Sequence, residues 1–196
     1  MIFSIWTISS SSCAATELNG TPLKSHQYNA LEFIDHAGRK IPELSNNGTG
    51  AVVSFLFTHC TDVCPITVHK MKKALHESDH PKIPIIIFSV DPGRDDPIAI
   101  QKFIEKWELS GNWFFVGGKP EMLERVWKEF YVSPIRSQAS DTKDILADKF
   151  AEKYNITHTA PVFVLDQKGI ARVVHSRIEN PEDLAQDINT ILKQYR

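Results

Sequence analysis

Two cysteines four positions apart, Cys60 and Cys64, end the run Val52-Val53-Ser54-Phe55-Leu56-Phe57-Thr58-His59-Cys60-Thr61-Asp62-Val63-Cys64-Pro65. A thiolate is a nucleophile, a redox partner and a soft metal ligand, and each role requires loss of the thiol proton. The apolar, β-branched and aromatic stretch before them has the composition of a buried strand. From Pro65 onward the period changes. Ile66, Val68, Met71, Ala74 and Leu75, with lysines between them, predict an amphipathic helix. Proline suits the first turn of a helix, where its missing N–H has no partner to lose. The thiols are therefore expected where a strand hands over to a helix. If that turn is already helical, residues i and i+4 share a face and both sulfurs point at one object. The free N–H groups and dipole of a helix N-terminus favour thiolate there.

Free cysteine is also common core filler, but a pair flanked by His59, Thr61 and Asp62 on a turn reads as chemistry. The spacing is not the Cys-x-x-Cys of thioredoxins, and no second pair completes a four-thiolate zinc site. A metal held here needs a third ligand from elsewhere. Of the eight histidines, His69, His76 and His80 belong to the first helix and its exit, where a solvated ring is expected. His26 and His36 fall in tether and turn, and His175 ends a strand. His59 adjoins Cys60, but neighbours along an extended chain point apart. His158 differs. It lies in Tyr154-Asn155-Ile156-Thr157-His158-Thr159-Ala160-Pro161, just ahead of the strand Val162 to Leu165. The end of one strand lies beside the start of an antiparallel neighbour. His158 faces the cysteines if those two strands pair in that way, and is a surface loop histidine otherwise.

The elements that must position these groups are legible by pattern. Ile83 to Val90 is a second apolar strand, ending in Asp91-Pro92-Gly93-Arg94-Asp95-Asp96-Pro97. Asp96 caps a helix with Pro97 at its first position and Ile100, Phe103, Ile104 and Trp107 inward. Trp113 to Val116 is a short strand. Pro120 opens a third helix and Asn180-Pro181 the last. Leu31 to Ile34, the turn Asp35 to Gly38, and Arg39 to Ile41 predict a hairpin, and Asp166 to Gly169 repeats the device. Ser133 to Thr142 reads as loop, with Ile145, Phe150 and Tyr154 marking a short helix. Strands alternating with helices predict one α/β domain.

Composition is ordinary for a globular chain of 196 residues, and a net charge of −2 carries no nucleic-acid signal. Residues 1–29 read as leader and tether, and 30–196 as the folded domain. Met1 to Thr16 is uncharged, with a short apolar run below the ~20 residues of a membrane span. It is similar to a secretory signal lacking its basic start. Cys13, after a row of serines, is loosely placed as a lipid acceptor. The expectation is export.

Three motifs together, Phe57-Thr58-His59-Cys60-Thr61-Asp62-Val63-Cys64-Pro65, Ser89-Val90-Asp91-Pro92-Gly93-Arg94-Asp95 and Thr157-His158-Thr159-Ala160 with Val164 to Gly169, resemble the Sco/SenC family. The likeness runs in order and spacing from about Leu31 to Lys193. It implies a thioredoxin-like mixed sheet flanked by helices, with an extra N-terminal β-hairpin. It implies copper, Cu(I) or Cu(II), on Cys60, Cys64 and His158, with Asp91 behind the site. It also implies a metallochaperone at the outer face of a membrane, serving the copper-bearing subunit of cytochrome c oxidase, with other copper chaperones or a thiol reductant as further partners. Two departures stand out: Thr61 where the family has proline, and Thr157 where it has aspartate. Two thiolates and an imidazole suit Cu(I) and can hold Cu(II), while zinc fits by softness alone. The same dithiol can form a disulfide, so a thiol–disulfide oxidoreductase acting on the target's cysteines is the alternative. A peroxidase fits less well, because Thr58 precedes Cys60 by two positions rather than three.

Overall fold

The structure is a computed structural model that describes residues 17–27, 33–42, 48–138 and 154–195. The expectations for Met1 to Thr16, Cys13, Ile145 and Phe150 lie outside the described residues. Ala51–Leu56 (β2) and Ile85–Ser89 (β3) are buried at every position. Continuous apolar runs of this kind belong to strands covered on both faces. They pair in parallel, and Trp113–Val116 (β4) joins β3 in parallel. Val63–Glu77 (α1) connects β2 to β3, and Pro97–Lys106 (α2) connects β3 to β4. The chain then passes through Pro120–Glu129 (α3) and, later, enters Val162–Leu165 (β7), which runs antiparallel to β2. Ile170–His175 (β8) folds back on β7, and Pro181–Gln194 (α4) packs beside α1.

Thr21–Gln27 (β1) completes a six-stranded mixed sheet in the order β1-β8-β7-β2-β3-β4. Residues 17–29 were expected to run as a pattern-free tether, so β1 is a correction. An edge strand is held by backbone bonds to one neighbour and needs no apolar face, so its sequence carries little signal. Pro22 and a register break between Pro22 and His26 are tolerated there for the same reason. Among the described residues the predicted N-terminal hairpin shows as the antiparallel bridge Ile34 to Lys40, with Ile41 N donating to Phe33 O, around the Asp35 turn. The stretch expected as loop and short helix contributes Ile135–Gln138 (β5) and Tyr154–Thr157 (β6), an antiparallel pair with Ile135 opposite Thr157. Tyr154 thus starts a strand.

Aromatic side chains fill the centre. Phe55 lies 5.2 Å from Phe130, 5.9 Å from Phe88 and 6.1 Å from Phe163, ring centre to ring centre. Truncating a fully buried phenylalanine to alanine costs ~3–5 kcal/mol, because the cavity adds to the lost transfer energy. Among the described residues no helix is long and apolar enough to cross a membrane. The end of β2 and the start of β7 lie side by side, with Ser54 opposite Val162.

Candidate functional site

The cysteine turn follows β2 directly and is pinned from below. Thr58 donates to Asp95 Oδ1 through both its backbone N–H (2.9 Å) and its hydroxyl (2.7 Å). Ser89 Oγ donates to the other oxygen of the same carboxyl at 2.6 Å. Asp95 is buried, and burial raises its pKa against the pull of those bonds. The sequence shows Asp95 as the last residue of the Ser89–Asp95 motif but gives no sign of this anchoring role. Asp96 does cap α2, accepting from Ala99 N.

The start of α1 is capped unusually. Its N-cap residue, Asp62, makes no side-chain cap bond. Instead Cys60 Sγ accepts the backbone N–H of Cys64 at 3.4 Å. A sulfur in that position receives an orphan donor and the positive end of the helix dipole. The Cys64 side chain and the backbone N–H groups of Cys64 and Asp62 also stabilise charge on Cys60. Together, and against partial burial, they bring its pKa down to about 4. Cys64 moves the other way. It is fully buried beside that thiolate, and its thiol donates to it, so its pKa is pushed far up. Cys60 is therefore the readier thiolate of the two, and Cys64 the sulfur that holds its proton more tightly. Both thiols are free, with no disulfide between them.

His158 arrives from the opposite side of the sheet seam. Ser54 on β2 pairs with Val162 on β7, and Ser54 Oγ donates to Pro161 O at 3.1 Å, which fixes the loop before β7 against the cysteine end of β2. His158 Nε2 lies 3.7 Å from Cys64 Sγ. Its Nδ1 lies 2.7 Å from Thr159 O. A carbonyl only accepts, so Nδ1 carries the proton, and in the neutral ring Nε2 presents its lone pair to the sulfur. Phe57 meets the imidazole edge to face at 5.4 Å.

His59 takes no part in this cluster. Its Nδ1 lies 2.9 Å from Thr58 Oγ1, whose own proton goes to Asp95. Asp91 is fully buried, but its carboxylate is engaged one layer away from the sulfurs. It accepts from Arg94 Nε and from the Tyr154 hydroxyl, with Arg136 Nη2 3.9 Å away. Neither Tyr154 nor Arg94 was singled out as a site residue, because only tertiary structure joins β6 to the end of β3.

Two sulfurs and one ring nitrogen therefore meet from three segments. Among the described residues no three His, Cys, Asp or Glu side chains stand already spread around a common point. The three residues lie against one another instead, Cys60 Sγ on the Cys64 N–H and Cys64 Sγ beside His158 Nε2. The donor set fits a soft, low-coordinate metal ion.

The profile of the SCO1/SenC family matches residues 20–193. A mitochondrial SCO2 homologue of Danio rerio is 23% identical over 84% of this chain and 57% of its own length. The chain spans between half and two thirds of the length of the curated relatives it matches. The structure of Bradyrhizobium japonicum ScoI with copper bound superposes with a TM-score of 0.67 at 23% identity, covering 85% of this chain and 99% of that one. BsSco, a member of the Sco family of cytochrome c oxidase assembly proteins in which a disulfide switch was identified, gives 0.60 at 21% identity over 91% and 97%. The match of the family profile over nearly the whole described domain, with the strand order and cysteine turn above, makes this chain a member of the SCO1/SenC family.

Proposed function

We propose that the protein binds a copper ion through Cys60 Sγ, Cys64 Sγ and His158 Nε2 and passes it on as a metallochaperone in the maturation of cytochrome c oxidase. The observation that carries this reading is the convergence of the two thiol groups with an imidazole nitrogen whose proton lies on the far side of the ring. Copper is the cargo. Cys60 offers a ready thiolate to the incoming ion, Cys64 gives up its proton as its sulfur takes the metal, and Nε2 closes the set. Structural zinc takes four ligands, whereas two soft sulfurs and one nitrogen satisfy Cu(I) and can hold Cu(II). The copper-bound relative and the oxidase-assembly relative support the same reading. Thiol–disulfide exchange needs the cysteines but not His158, so it leaves the third donor without a task.

The donor face reads as a docking surface for the copper-bearing oxidase subunit, outside the cytoplasm and close to a membrane. A second copper chaperone or a thiol reductant would load or reset the pair. The test is a titration of the reduced protein with Cu(I) and with Cu(II), followed by absorption spectra. The wild type takes up one copper, and Cys60→Ser or Cys64→Ser nearly abolishes Cu(I) binding. His158→Ala keeps a weak two-thiolate Cu(I) site and loses the sulfur-to-Cu(II) band, while His59→Ala changes nothing. Damage from His59→Ala with none from His158→Ala overturns the assignment.

A further inference from the structure

His158 owes its position to β6, and β6 is tied to the cysteine side of the molecule by groups outside the ligand set. Arg94, in the loop after β3, is the joint. Its Nε donates to the buried Asp91 carboxylate, and its Nη1 donates to the Tyr154 backbone carbonyl at 3.1 Å. Its guanidinium lies 4.0 Å from the centre of the Tyr154 ring and 5.8 Å from that of Phe57. Tyr154 begins the strand that leads to His158, and its hydroxyl donates to the same Asp91 carboxylate. Phe57 begins the cysteine turn, and its ring is the one that meets the His158 imidazole. One guanidinium thus touches the segment carrying the nitrogen ligand and the segment carrying the sulfur ligands.

We propose that Arg94, with Tyr154 as its counterpart on β6, is a positioning residue that holds His158 Nε2 against Cys64 Sγ. This rests on the copper reading above. The arrangement requires a planar group. The ion pair to Asp91 fixes one edge, the carbonyl bond fixes another, and the two flat faces remain for the rings. Lysine keeps the charge beside Asp91 but has neither the fork nor the faces. Groups that orient a metal ligand without touching the metal typically change affinity by ~10- to 100-fold when removed. The cysteine turn has holds of its own, Thr58 on Asp95 and the Cys64 N–H on Cys60 Sγ, so the loss is expected to fall on the nitrogen-dependent Cu(II) state more than on Cu(I).

The test compares wild type, Arg94→Lys, Arg94→Gln and Tyr154→Phe as full chains. In the reduced, copper-free protein, ring ¹⁵N resonances of His158 report the tautomer and the contact with sulfur. In the copper-loaded protein, competition gives Cu(I) and Cu(II) affinities, and electron paramagnetic resonance reads the nitrogen coupling. Expected are a shifted His158 resonance and a ~10- to 100-fold weaker Cu(II) affinity in both Arg94 variants, with Tyr154→Phe displaced in the same direction by less. Recovery of wild-type behaviour by Arg94→Lys overturns the inference, since charge balance for Asp91 would then be the whole role. If Arg94→Gln fails to fold, Tyr154→Phe decides, and wild-type values in every readout also overturn it. Failure of the wild type to bind copper at the three donors instead sinks the functional reading, and the copper-free resonances still judge the joint.

Discussion

Two histidines stand near the same end of the sheet and do opposite things with their partners. His175 closes β8 directly opposite Val162, the first residue of β7, while His158 lies a few residues ahead of it. His175 is buried, with Nε2 2.9 Å from Asp187 Oδ2 on α4. That carboxylate also accepts the backbone N–H groups of Asn19 and Gly20, each at 2.9 Å. Every partner there is bound to another, and the result is a staple joining α4, β8 and the segment leading into β1. His158 is half-buried, spends one nitrogen on a backbone carbonyl, and sets the other 3.7 Å from the Cys64 sulfur. A histidine that satisfies carboxylate and backbone together holds structure. One that leaves a lone pair against a titratable sulfur is placed for exchange.

The largest way to break that contrast is Asp187→Ala. It strands His175 and two N–H groups, and a buried polar group left without its hydrogen-bond partner costs ~1–3 kcal/mol. Urea unfolding is expected to show that loss, with copper stoichiometry unchanged. Asp187 also sets an acid limit. Its hydrogen bonds to His175, Asn19 and Gly20 hold its pKa below the usual carboxylate range in spite of burial. A depressed folded-state pKa gives stability that is present above the unfolded value of ~3.9 and lost as pH falls through the folded one. Asp187→Asn should therefore flatten the acid limb of the stability curve. A mutant that instead lost copper at full stability would erase the distinction between the two histidines.

A middle-sized effect concerns what links the elements at the His158 corner. With Cys60 and Cys64 as the proposed ligands, a disulfide between them and a bound copper ion would exclude each other, because a ligating sulfur must be reduced and deprotonated. A disulfide closing so short a loop restrains the unfolded chain little. Copper on three donors joins the turn after β2, the first turn of α1 and the loop before β7. The reduced, copper-loaded protein is expected to melt above the oxidised, metal-free one in calorimetry, and oxidation to block loading until a dithiol is added. Tight stoichiometric uptake by protein whose mass shows the intact disulfide would contradict the reading of these cysteines as ligands.

How much of this was legible depends on where each restraint resides. Val52 to Leu56, the helix after Cys64 and the strand from Val162 announce themselves because burial on one or both faces imposes a period on the sequence. The antiparallel pairing of the two strands was only the condition under which His158 meets the cysteines, and the likeness to the Sco/SenC family, not the pattern, implied that it holds. β1 and the β5–β6 pair did not announce themselves, since edge and hairpin strands are held by backbone bonds that any side chain permits. The donors Cys60, Cys64 and His158 were visible as residue types suited to soft metals. Their supports were not. Asp95 under Thr58, and Arg94 between Phe57 and Tyr154, act through contacts that only the folded chain creates. Burial then gives their carboxylates and guanidinium a weight the sequence does not advertise.

The smallest effect is the sharpest on protonation. Cys60, with a pKa of about 4, is a thiolate throughout the neutral range, whereas Cys64 beside it keeps its proton. An ordinary cysteine, with a pKa near 8.5, reacts with iodoacetamide at a rate that climbs steeply from pH 6 to 8. Cys60 in the metal-free reduced protein is expected to react at a nearly constant rate over that interval and to slow only as pH approaches ~4. Its absolute rate stays modest, since nucleophilicity falls along with pKa. Cys64, with no exposed surface, stays unmodified until the protein unfolds. Peptide mass mapping after timed quenching separates the two sites. Removing the buried donor by Cys64→Ala takes away the largest stabilising contribution, so the Cys60 profile should move back toward neutral pH. A flat profile that survives that substitution would mean that the helix terminus alone holds the charge, and that the Cys64 thiol does not.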